Sequence, residues 1–139
     1  MRSWVCALSV GTLAVWLSLS DAAHAACETS DLEDQWDAYA MGADPAGAYW
    51  QRCTVRIDHR GRFRSGSSCK DHLGENSTLS SADFRLRRNC LLTGSFEQTF
   101  DETSIECDIR ATFTPDKQIL SGVGECDDGD IFFLNMIRR

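Results

Sequence analysis

His59 and His72 are the histidines that remain once residues 1–25, the leader described below, are set aside. They are the chain's candidates for a general base near neutral pH. His59 stands in Asp58-His59-Arg60-Gly61, the tip of an expected hairpin, and His72 lies in the polar stretch 71–82. A serine–histidine–carboxylate triad needs a serine on a strained elbow and a base oriented by a third group, and no serine here stands in that context. Glu125, Asp127, Asp128 and Asp130 surround Gly129 with carboxylate oxygens, the donors calcium takes six to eight of. The competing reading is that Asp128-Gly129 is a turn with solvated neighbours. Cys27, Cys53, Cys69, Cys90, Cys107 and Cys126 include no CxxC pair, which counts against thiol–disulfide exchange. No two of them stand two to four apart, as a zinc knuckle requires. The expectation is a chain with no catalytic residue, no metal and no cofactor.

The cysteines read instead as staples. Met1-Arg2-Ser3-Trp4 is followed by an apolar run over 5–19, and Ala23-His24-Ala25 presents small residues three and one before a cut. That layout predicts a signal peptide over 1–25 and a single domain over 26–139, secreted or periplasmic. A membrane anchor and a lipoprotein acylated at Cys27 are the alternatives. The run is shorter than a spanning helix needs, and His24 occupies the position where a lipoprotein has a small aliphatic residue. Cutting after Ala25 leaves 114 residues (139 − 25) and six cysteines, an even set for an oxidising compartment. A domain this small gains from covalent links. The net charge of −7 argues against nucleic acid as a partner. Arginines cluster over 52–64 and 85–88, and carboxylates over 28–44 and 97–130, so ion pairs are expected between these segments.

The elements that must position these residues are hairpins. Folding residues 53–69 about Gly61 puts Cys53 opposite Cys69, His59 opposite Phe63, and Asp58 opposite Arg64 as an ion pair. Ile105, Cys107, Ile109, Ala111 and Phe113 alternate with polar residues, and a turn over 115–118 brings Cys107 opposite Cys126. That register faces Asp108 with Glu125, which a bulge would repair. Cys90–Cys107 is the rival pairing. Asp128-Gly129 predicts a two-residue turn into a last strand over 131–137. Phe84, Leu86, Cys90 and Leu92 alternate as one further strand, and 94–100 as another. Residues 71–82 read as a loop. Residues 28–41 read either as a short helix capped by Ser30 and Glu33 or as a strand lined by Trp36. The fold class is all-β: an antiparallel meander of seven to eight strands, closed as a small barrel or folded as a sandwich, stapled by disulfides.

Trp36 near the start and Arg138 or Arg139 just after the last strand, joined by a meander of short strands, resemble the lipocalin-type small barrels. The resemblance implies that the tryptophan and the arginine stack at the closed end of a barrel. The family motif has a glycine two before the tryptophan, where this chain has Asp34.

Registering the last strand on Asp128-Gly129 places Ile131, Phe133 and Ile137 inside. Phe132, Leu134 and Met136 then point outward beside Val123, as a candidate interaction patch. The alternative is that Trp36, Tyr39 and Met41 cover that patch. The functional expectation is an exported, non-catalytic binding or interaction module. Its alternatives are an inhibitor of a protease or other hydrolase presenting residues 26–31, and a carrier of a small apolar ligand. The expected partner is a protein or an apolar molecule, with no stable membrane span after processing.

Overall fold

In a computed structural model of the protein the described residues are 26–44 and 46–139, and the leader expected over 1–25 lies outside them. Eight antiparallel strands follow one another in chain order: β1 (Asp34–Asp44), β2 (Gly47–Ile57), β3 (Ser68–Asp71), β4 (Asn76–Leu86), β5 (Leu91–Phe100), β6 (Thr103–Phe113), β7 (Ile119–Cys126) and β8 (Ile131–Arg138). Each pairs with its sequence neighbours and β8 returns to β1, so the sheet closes into a barrel rather than a sandwich. Closure leaves no open strand edge. A 3₁₀ turn, Thr29–Leu32, precedes β1. Its capping box uses Glu28 and Asp31, not Ser30 and Glu33. Residues 28–41 therefore hold both of the elements the sequence left open.

Period-two alternation builds the interior. In β6, Cys107, Ile109, Ala111 and Phe113 are buried, while Glu106, Asp108, Arg110 and Thr112 are exposed. Cys107 faces Cys126 with no bulge, and Asp108 faces Glu125 across the exposed surface. Pro115 has no N–H to close a two-residue turn. The β6–β7 loop therefore opens to four residues, with Thr114 N–H donating to Ile119. This shifts Cys107 and Cys126 to a non-hydrogen-bonded pair, flanked by the bond from Asp127 N–H to Glu106, where side chains stand closer.

Four connections share one design, a type I turn followed by a left-handed residue. They run Asp58 to Arg62, Asp71 to Glu75, Arg87 to Leu91 and Cys126 to Asp130, each closed by a pair of backbone hydrogen bonds of 2.8–3.1 Å. The left-handed position is glycine in three of them, because a side chain there meets the backbone. In the fourth it is Cys90, at φ 64.

This turn corrects several expectations. Cys126 faces Asp130, so the last hairpin has a three-residue loop and not the two-residue Asp128-Gly129 turn. One added residue reverses every side chain of β8. Phe132, Leu134 and Met136 are in the core, and Ile131, Phe133 and Ile137 face outward. Gly124 makes room for the Phe132 ring inside, where a Cβ would collide with it. The expected strand from Phe84 to Leu92 is cut by the Arg87–Leu91 turn. At the first hairpin Ile57 faces Phe63 while Cys53 faces Cys69, so two extra residues are absorbed near Gly66. Asp58 does not pair with Arg64. Its Oδ1 accepts from the N–H groups of Arg60 and Arg62, and Arg64 pairs with Glu33 at 2.7 Å.

The expected loop over 71–82 is mostly strand. Only the turn to Glu75 is loop, and β4 begins at Asn76. Its first residues are polar because only Ser77 and Leu79 point inward there, and the outward Asn, Ser and Thr side chains are solvated. Pairing with β3 and β5 on both sides overrides that weak local signal.

Candidate functional site

Below its open mouth the barrel interior is full. A chain of edge-to-face ring contacts crosses it, Phe63 to Phe84 at 5.5 Å, Phe84 to Phe96 at 6.3 Å and Phe96 to Phe132 at 6.2 Å. Gln98 is buried, and its amide nitrogen donates to Ser77 at 2.7 Å and Gln51 at 2.8 Å. The sequence reading missed this polar group, because an inward glutamine in a strand has no local signature. A cavity of about 40 Å³ remains, lined by Val55, Phe84, Phe132 and Met136 among others. It would hold a water or two, well short of the roughly 300 Å³ where ligand sites begin. At the open mouth a recess of about 370 Å³ lies above it, lined by Tyr49, Gln51, His72, Gln98, Asp128 and Phe132 among others.

The N-terminal segment plugs one end. Trp36 is buried and lies 5.7 Å from Phe113, and its Nε1–H donates to the Leu32 carbonyl at 2.9 Å. The Arg138 guanidinium stacks on Trp36 at 4.7 Å and donates to the Asp31 carbonyl at 2.5 Å. The lipocalin resemblance implied this stacked pair. Cys27 is buried and bonded to Cys90, which ties residues 26–32 to the β4–β5 turn. Residues 26–31 thus lie against the barrel end and do not project from it. The other two disulfides are Cys53–Cys69 and Cys107–Cys126.

Asp31 is a titratable clasp of this plug. Burial pushes its carboxyl up, but Lys117 bonded to it at 2.8 Å, the Glu28 N–H and the charges of Lys117 and Arg138 outweigh that and hold it below its usual value. A carboxyl lowered on folding stabilises the native state above its unfolded pKa, about 4. That contribution is lost as pH falls through the lower folded value. Asp31→Asn is therefore expected to flatten the fall in stability below about pH 4, measured as urea midpoints across an acid series.

The residues considered for chemistry do not converge. His59 lies on the β2–β3 connection at the plugged end, and His72 on the β3–β4 turn at the open end, where its ring tilts toward Trp50 at 6.5 Å. Among the described residues no group of three or more histidines, cysteines or carboxylates is placed to hold a metal ion. Asp128 Oδ1 instead accepts from Asp130 N–H at the hairpin.

The exposed side chains that do converge are apolar. The residues first expected there, Phe132, Leu134 and Met136, are core, and only Val123 of the expected patch is exposed. Four neighbouring strands place Trp50 opposite Met41, Met41 opposite Phe133 and Phe133 opposite Val123. These side chains form one row across the outer face of β2, β1, β8 and β7, at 54, 62, 63 and 43% exposure. Ile131 and Ile137 flank it on β8, and Tyr39 on β1 with Arg52 stacked on its ring. Tyr39 and Met41 belong to this face and do not cover it, while Trp36 is inside.

Charge is segregated along the barrel. The β3–β4, β5–β6 and β7–β8 connections at the open end carry Asp71, Glu75, Asp101, Glu102, Asp127, Asp128 and Asp130, with no lysine or arginine. At the plugged end stand Arg60, Arg62, Arg64, Arg87, Arg88, Lys117, Arg138 and Arg139, against seven carboxylates: Glu28, Asp31, Glu33, Asp34, Asp37, Asp58 and Asp116. Ion pairs form there, as Arg64–Glu33, Lys117–Asp31 and Arg138–Asp34.

These features define a closed, eight-stranded antiparallel barrel held by three disulfides, with an interior filled below its open mouth and an apolar outer face. The disulfides are compatible with an oxidising, extracellular environment, and among the described residues no helix is long and apolar enough to cross a membrane. No protein-family model matches the chain, and neither a curated protein nor a solved structure matches it.

Proposed function

We propose that this protein is an exported, non-catalytic interaction module that binds protein through the outer face of β2, β1, β8 and β7. The observation that carries the reading is the row Trp50, Met41, Phe133 and Val123, large apolar side chains left in water on adjacent strands. Contiguous patches of this kind mark contact sites, whereas scattered ones do not. Export rests on the leader over 1–25 and the three disulfides.

Each alternative has less support. A carrier of apolar ligands needs a large apolar interior. The closed part of this barrel leaves about 40 Å³, and the recess of about 370 Å³ at its open mouth is edged by Asp71, His72, Asp128 and Asp130 with Gln51 and Gln98 at its floor, a polar rim and floor. An inhibitor that presents residues 26–31 needs that segment extended, and here Cys27 and Leu32 are buried against the barrel end. The test is a photo-crosslinking side chain placed at Phe133, or at Arg85 on the exposed face of β4, in protein exported by its host. Position 133 is expected to yield protein adducts and position 85 none. Equal yields at the two positions, or none at 133, would overturn the proposal.

A further inference from the structure

We propose that the outer apolar face is covered by a second copy of the chain, in a two-fold pair with the two barrel axes antiparallel. This rests on reading the face as a contact surface and names its occupant.

Three observations point to a second copy. The first is area. Seven side chains (Tyr39, Met41, Trp50, Val123, Ile131, Phe133 and Ile137) are 43–63% exposed on this face. At that exposure residues of this size present roughly 700 Å² together, close to the ~800 Å² each partner buries in a standard interface. The second is shape. Met41 and Phe133 stand side by side on β1 and β8 at the centre of the patch, so a two-fold axis in the contact plane above them sets apolar patch on apolar patch and makes the surface self-complementary.

The third is charge, and it selects the orientation. Two copies with a net charge of −7 repel one another at long range. The charge is axial, however, with carboxylates alone on three open-end connections and cations nearly balanced by carboxylates at the plugged end. Barrel strands tilt by about 35–45° to the barrel axis, so a two-fold axis perpendicular to that axis, not one laid along the cross-strand row, reverses the partner's barrel. Each acidic end then lies beside the other copy's nearly neutral end, and a parallel pair would set acidic end against acidic end.

Sedimentation velocity of the exported, oxidised protein over a wide concentration range tests this at low and at high salt. A reversible dimer is expected, and its dissociation constant should change little with salt because the antiparallel arrangement keeps the acidic ends apart. Phe133→Asp and Met41→Lys, both at exposed positions, should each weaken the dimer by about 30-fold or more. Thr78→Asp, which adds the same charge on the exposed face of β4, should leave it unchanged. Far-ultraviolet circular dichroism checks that each variant is folded. A dimer that tightens strongly with salt would overturn the antiparallel arrangement, because it would show the acidic ends held together. A dimer weakened equally by Thr78→Asp would place the contact elsewhere. A monomer at every concentration removes the second copy as occupant. If the photo-crosslinker at 133 then captures a different protein, the contact surface stands without the dimer. If it captures nothing, both readings fall.

Discussion

Trp36→Ala is expected to destabilise the fold by about 3–5 kcal/mol, the usual cost of truncating a buried aromatic. Three interactions converge on this one side chain. Its ring packs against Phe113 at 5.7 Å, carries the Arg138 guanidinium at 4.7 Å and donates Nε1–H to Leu32 at 2.9 Å. The truncation would leave the Leu32 carbonyl without its donor and Arg138 over a void. Since a domain's whole stability is about 5–15 kcal/mol, the loss is a large fraction of it. Trp36→Phe separates the contributions. It keeps an aromatic body but removes the N–H, and should cost about 1–3 kcal/mol, the penalty for an unpaired buried polar group. Urea unfolding of the oxidised proteins gives both values. A loss under about 1 kcal/mol for Trp36→Ala would show that the plug is not held through this ring.

The second large effect is expected from Cys27→Ala with Cys90→Ala. A disulfide restricts the unfolded chain more as the loop it closes lengthens. Cys27–Cys90 spans 63 residues, against 16 for Cys53–Cys69 and 19 for Cys107–Cys126. The chain-entropy relation assigns about 4 kcal/mol to the long link and about 3 kcal/mol to each short one. The short links also join strands already paired by the sheet, at Cys53 to Cys69 and Cys107 to Cys126. The long link is the covalent attachment of residues 26–32 to the rest of the barrel. Denaturant midpoints of the three double variants should therefore rank Cys27–Cys90 as the most costly to remove. If it proved the cheapest, the native contacts of the plug would be enough to hold it. The loss should also combine less than additively with Trp36→Ala, because both changes release the same segment.

Much of the barrel was legible from local pattern. Cys107, Ile109, Ala111 and Phe113 alternate with charged residues, and only an extended strand with one dry face satisfies that order. The short disulfides were legible too. A hairpin brings its own two strands to one level, so Cys53 with Cys69 and Cys107 with Cys126 followed from spacing and turn residues. The strand content of 76–82 was hidden because its serines and threonines carry almost no inward apolar signal. Cys90 was assigned to a strand because nothing in a cysteine announces a left-handed backbone, which here is held by the turn around it and by the bond to Cys27.

Alternation and turn residues alone make residues 26–139 a turn-punctuated β domain, with six cysteines to staple it. Which residues face water on β8, and which charges gather at each end, depends on the closed fold. The reason is parity. Side chains alternate with period two, so one added residue in the Cys126–Asp130 turn exchanged Phe132, Leu134 and Met136 with Ile131, Phe133 and Ile137. In an up-and-down barrel alternate connections share an end, so the position of Asp71, Asp101 and Asp128 together is set only once every strand is counted.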